Sequence, residues 1–119
     1  MRKIRFFAVL LVSVLIVSLT GCSGGGKRTI GIIQFGSHGS LNNCYDGVIQ
    51  GLKESGINLD DYNVEYVNSN FDASVSQTQA NNLVNKNAAV IIAIATPSAV
   101  AAANAAADSE IPVVYCAVT

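Results

Sequence analysis

Apolar and polar positions follow two rhythms along this chain, one with the period of a strand and one with the period of a helix. In residues 90–94 (VIIAI) every position is apolar and most are β-branched, so both faces of the stretch need covering. That pattern predicts an interior strand of a parallel sheet with helices on each side. Thr96, Pro97 and Ser98 end the run, and an alanine-rich segment follows to 107. Thr96 suits an N-cap, Pro97 suits the first helical position, and alanine has the highest helix propensity. The reading is a strand that turns at once into a helix.

The same plan recurs on either side. Residues 29–35 (TIGIIQF) form a β-rich run, and 36–40 (GSHGS) form a loop. Leu41, Cys44, Tyr45, Val48, Ile49 and Leu52 then recur at helical spacing. Gly47 and Gly51 in that helix are expected to allow close approach to the sheet, and Gly56 to stop it. Residues 63–68 alternate as a strand. Ser74 is read as the cap of a helix carrying Val75, Ala80, Leu83 and Val84, whose apolar face is thinned by asparagines and glutamines, and 85–87 close it. Residues 112–118 give a fourth strand. Strands alternating with helices predict an α/β fold, an open doubly wound parallel sheet in the order 2-1-3-4. The loops at 34–41, 68–72, 95–98 and from 118 onward then gather on one edge.

At that edge the third helix start is read as an anion site, with the amides of Ser98 and Ala99 and two hydroxyls directed into the crevice. A carboxylate taking two or three such bonds gains roughly 3 to 8 kcal/mol before ordering costs, while micromolar affinity needs about 8 kcal/mol net. The helix start can orient a ligand, and holding it needs apolar walls and a second covering surface. In the plainer reading, Thr-Pro-Ser only caps a structural helix.

The N-terminal region has a different character. Arg2, Lys3 and Arg5 precede an apolar run over residues 6–19, too short to favour a bilayer span and suited to a secretory signal. Leu19-Thr20-Gly21-Cys22 matches the bacterial lipobox, which makes Cys22 the lipid-modified N-terminus, and 23–26 a flexible tether. The expected organisation is a signal peptide at 1–21, a lipidated cysteine and tether at 22–28, and a folded domain at 29–119. Localisation is then extracytoplasmic, with the membrane reached through lipid on Cys22. Beyond Cys22 the chain has four basic and eight acidic residues, a formal charge of −4. Nucleic acid is excluded as a partner, because Lys and Arg on phosphate supply most of that affinity. Cys44 and Cys116 are expected as two buried thiols, since the first and fourth strands would lie about 9 to 10 Å apart, beyond disulfide reach. The chain stops at Thr119 directly after a strand, an arrangement expected of a piece of a longer protein.

The segments IGIIQFGSHGSLNNCYDGVIQGLKESG, VIIAIATPSAVAAANAA and IPVVYCAVT together resemble the opening lobe of ABC-transporter substrate-binding lipoproteins of the tryptophan/tyrosine transport type. The resemblance covers essentially the whole chain after the tether. It implies a partial first lobe of a two-lobe periplasmic-binding-protein-like fold, closing over an amino acid or similar small molecule and delivering it to a membrane permease with its ATPase. It implies ligand-facing positions in the 34–41 loop, which holds Gln34, Phe35, His38 and Leu41, in Thr96, Pro97 and Ser98, and in Thr119. The chain departs from the family at Gly39, where a proline is usual, and at Ser37, where an acidic residue is common.

Read from the residues alone, His38 is either a ligand contact or a solvated loop histidine, and it has no second His or paired Cys at metal spacing. Phe35 either walls the cleft or plugs the core. Gln34 either meets ligand or satisfies backbone groups. Phe71, in a loop beyond the second strand, is a candidate aromatic platform. No Gly-x-Gly-x-x-Gly, phosphate loop or Ser-His-Asp set is present, so neither an enzyme nor a cofactor is indicated. Two other readings stay open: a sugar-binding importer component, and the ligand-sensing domain of a membrane receptor.

Overall fold

The computed structural model describes residues 25–119. The apolar run read as a signal and Cys22, read as the lipidation site, lie outside the described residues. Strands β1 (Arg28–Gln34), β2 (Tyr62–Asn68), β3 (Val90–Ile94) and β4 (Val113–Cys116) alternate with helices α1 (Gly39–Glu54), α2 (Ala73–Asn85) and α3 (Thr96–Ala106). The strands make one parallel sheet in the order β2-β1-β3-β4, as the strand and helix periods predict. Ile32 of β1 stands opposite Tyr66 on one side and Ile92 on the other.

Right-handed crossovers decide which face each helix covers. The chain moves outward from β1 to β2 through α1, then returns past β1 to β3 and on to β4. That reversal puts α1 on one face and the other two helices on the opposite one. On the first face Ile30, Ile32, Ile92 and Ile94 receive Leu41, Cys44, Tyr45, Val48, Ile49 and Leu52, the helical stripe predicted. On the second, Ile33, Ile91 and Ala93 meet Ala80 and Leu83 of α2 and Ala99, Ala101 and Ala102 of α3.

Gly47 and Gly51 do not serve close packing. Both are exposed, and a Cβ at either would meet nothing within 4 Å, because they lie to the side of the apolar stripe. Gly56 does follow the C-terminal cap of α1, in the left-handed region at φ 81°. The glycine that packing requires is Gly31, whose missing side chain leaves room for Leu83 of α2.

Two helix starts differ from expectation. The cap of α2 is Asp72, and Ser74 lies inside the helix. The Asp72 amide closes a tight turn onto the Ser69 carbonyl. That turn leaves Asp72 extended, with its carboxylate free to accept from the Ser74 and Val75 amides and the Ser74 hydroxyl. The Ser74 hydroxyl, then the two amides, hold this carboxyl below its ordinary range. A depressed folded value contributes stability above the unfolded pKa and loses it as pH falls through the folded one. Asp72→Ala is therefore expected to lower Tm by about 4 °C at neutral pH. The gap from the parent should shrink below about pH 4, as read from melts at both pH values.

At α3, Thr96 is the first helical residue and Ala95 holds the cap position without a side-chain hydrogen bond. The Ala95 amide is already donated to the Cys116 carbonyl at 3.0 Å. The sheet ladder thus runs up to residue 95, and the chain must turn within one residue. Ala95 does so at φ 80° and ψ 155°, a region otherwise reserved for glycine.

Cys44 and Cys116 are free thiols and half-buried. The strand-spacing estimate does not apply to them, because Cys44 sits on α1 above the sheet, on the same four-isoleucine face as Cys116. Burial first, and then the Cys44 thiol beside it, push the Cys116 thiol above its ordinary range.

Candidate functional site

β1 and β3 are neighbours, yet the helices that follow them leave toward opposite faces. Their C-terminal ends therefore part at the point where the winding reverses, the usual place for a ligand crevice in such sheets. The turns after all four strands surround it.

Phe35 and Phe71 form one bank. Their rings meet edge to face with centroids 5.7 Å apart and planes at 87°, a favoured aromatic geometry. Phe71 is 56% exposed and sits at φ 63°, after Asn70 at φ 51°. Hydrogen bonds hold this left-handed pair: the Phe71 amide donates to the Phe35 carbonyl at 2.7 Å and the Asn70 amide to the Asn68 side chain at 2.8 Å. Gly36 completes the arrangement, since any Cβ there would run into the Phe71 ring.

Behind the aromatic pair lies a polar layer that the sequence reading did not identify. The buried Ser69 hydroxyl donates to Gln79 Oε1 at 2.8 Å and accepts from the Ser76 hydroxyl at 2.7 Å. Gln79 Nε2 donates to the Asn68 carbonyl, and the Ser69 amide to the Gln34 carbonyl. Ser76, Gln79 and Leu83 share one face of α2 by spacing. The polar interruptions that thin its apolar stripe are the residues that bind the loop. They were the available signal.

Gln34, only 1% exposed, turns its amide nitrogen to the Gly36 carbonyl and to Asn42 Oδ1, each at 2.8 Å. It braces the loop from beneath. His38 is the N-cap of α1, its Nδ1 accepting from the Ser40 amide at 3.4 Å and contacting the Ser40 hydroxyl at 2.9 Å. Leu41 packs into the α1–sheet contact. Gln34 and His38 thus bond within the loop region, while Leu41 helps attach α1 to the sheet.

The other bank is the α3 start. The expectation of open amides at Ser98 and Ala99 needs correction, because the Ala99 amide donates to the Ala95 carbonyl at 3.0 Å. The helix begins one residue earlier than read, so residue 99 already closes its first turn. The amides of Thr96 and Ser98 find no backbone acceptor among the described residues. Ser98 is wholly buried and its hydroxyl lacks a partner among the described residues. Pro97, half-buried, stands between them in the first turn. Thr96 Oγ1 accepts from the Thr119 amide at 3.2 Å, which ties the turn after β4 to the turn after β3. The same sheet edge thus carries an apolar aromatic bank and a helix N-terminus, a pairing suited to a small molecule with one apolar and one anionic end.

Comparison with known proteins agrees with this fold. Residues 29–119 match the family model described as ABC transporter substrate binding protein. A tyrosine-binding protein of Clostridioides difficile (strain R20291) is 33% identical over 132 aligned positions, covering 97% of this chain and 38% of that protein. Among solved structures, an ABC domain from Streptococcus pneumonia in complex with L-Trp matches with a TM-score of 0.71 and 35% identity over 79% of this chain and 31% of that one. The ligand-free, open structure of an adhesive substrate-binding protein from Clostridium difficile gives a TM-score of 0.71 and 30% identity, covering 77% and 31%. The chain thus spans about a third of the length of these relatives. With its family model and strand order in accord, the chain belongs to the ABC transporter substrate-binding proteins.

Proposed function

We propose that the full-length protein captures an aromatic amino acid between this lobe and a second one and delivers it to an ABC permease and its ATPase. In this reading the protein sits outside the cytoplasmic membrane, held by lipid on Cys22. The observation that carries the ligand class is the exposed, left-handed Phe71 edge-on to Phe35 at the crevice. A large apolar ring kept in water and in an unfavourable backbone region makes sense as a surface awaiting a partner. The tyrosine and L-Trp bound by the relatives support the same class. The anionic end of the ligand would lie toward the α3 start.

Calorimetry of the full-length mature protein against tryptophan, tyrosine and a panel of sugars tests the proposal. Micromolar or tighter binding of an aromatic amino acid is expected, and binding of sugars alone would overturn it. Ser98→Ala tests the anionic end separately. Removing an unpartnered buried hydroxyl should leave stability without ligand equal or slightly raised. If the ligand completes that hydroxyl, affinity should fall about tenfold or more. Unchanged affinity would remove Ser98 from the site.

A further inference from the structure

Cys44 and Cys116 lie on different elements, separated in sequence by most of the domain, yet both side chains pack on the isoleucine cluster of one sheet face. Cys116 ends β4 opposite Ile94, itself a member of that cluster. Both pack against the same four isoleucines, with the Cys44 thiol near enough to help raise the Cys116 pKa, and both are half-buried, so a small reagent can reach them. Helix α1 has no fully buried residue and is attached to the sheet by its side chains alone. A shift of this helix along the shared isoleucine face toward β4 is the movement a covalent bond would need.

We propose that Cys44 and Cys116 are a redox pair that closes to an intramolecular disulfide, tying α1 to β4, with a small-molecule disulfide as oxidant. One cysteine thiolate attacks the oxidant, forming a mixed disulfide and releasing one small thiolate. The second cysteine thiolate then attacks the protein sulfur of that mixed bond and displaces the other. Two cysteine thiols are oxidised and one small disulfide is reduced to two thiols, which take up the two protons. The proposed location outside the cytoplasmic membrane is a compartment where such bonds persist.

The bond would bear on the crevice. Helix α1 starts just after the 35–38 loop, and β4 leads to Thr119, which is bonded to Thr96. One covalent link would therefore join the supports of both banks.

The test uses the full-length protein with Cys22→Ser, fully reduced, then treated with oxidised glutathione under native conditions, alkylated and digested without reductant. Expected is a peptide pair joined through Cys44 and Cys116 in the monomer, both thiols lost together, and a Tm at least about 8 °C above the reduced form. Cys44→Ser and Cys116→Ser should each leave a lasting glutathione adduct on the remaining cysteine, and either variant alone suffices if the other does not fold. Two independent glutathione adducts on the parent protein, links only between molecules, or thiols that react only after unfolding would overturn the proposal.

Discussion

Gly31→Val is expected to destabilise the domain by about 3 kcal/mol or more, lowering Tm by roughly 10 °C or more. Gly31 lies in the interior of β1 between Glu65 and Ile91, and a Cβ there would stand 2.5 Å from Leu83 Cδ1 and 2.8 Å from Cδ2. Leu83 has no retreat. It is 1% exposed and enclosed by Ile33, Ala80, Ile91 and Ala93. Valine brings two further methyl groups into the same space, so the cost is overpacking of a filled site. Leu83→Ala alone should cost about 2 to 5 kcal/mol by opening a cavity. Combined with Gly31→Ala, which places a methyl group in that cavity, it should cost less than the sum of the two single changes. Denaturant titrations of Gly31→Val and of the four proteins in this cycle check the claim. An unchanged midpoint for Gly31→Val, or strict additivity in the cycle, would count against Leu83 as the group that requires glycine at 31.

On the proposed function, Phe71→Ala in the full-length protein is expected to reduce affinity for tryptophan by about ten- to a hundredfold, while Tm stays within a few degrees of the parent or rises. The loss combines the burial of an aromatic side chain against the ligand, about 1.5 to 3 kcal/mol, with any ring-to-ring contribution. Folding loses little, since more than half the residue is exposed and its backbone is unfavourable. Gly36→Ala should act in the same direction without removing the ring, because the new Cβ displaces it. The exposed ring can swing outward, so the fold should tolerate the change. Calorimetry beside thermal melts separates the two quantities. Tryptophan binding by Phe71→Ala at parental strength would take the ring out of the site.

Element order and strand order were legible because they rest on burial. The both-faces-apolar 90–94 run and the stripe of Leu41, Cys44, Tyr45, Val48, Ile49 and Leu52 have few alternatives once packed. Helix starts were less legible. Asp72 and Ser74 are both competent caps, and the turn onto Ser69 decides between them. Likewise, Thr96 loses the cap position because β4 recruits the Ala95 amide, a long-range contact with no local signature.

At the crevice, residue types were readable and their protein partners were not. Gln34 and His38 have the chemistry of ligand contacts, but the nearest donors and acceptors are Gly36, Asn42 and Ser40. Short polar loops satisfy themselves first. Phe71 was readable as an exposed aromatic in a turn, although its edge-on neighbour was not, since their contact joins the ends of different strands.

The rim of the crevice is knitted by ladder bonds that continue past the strands. The Phe35 amide reaches the Ile94 carbonyl, Ala95 reaches Cys116 and Phe71 reaches Phe35, while the Thr119 amide adds a bond to the Thr96 hydroxyl. Freedom that a floppy edge would surrender on ligand arrival has here been surrendered when the chain folds. A guest molecule thus meets a finished surface, and little of its contact energy goes into arresting loops.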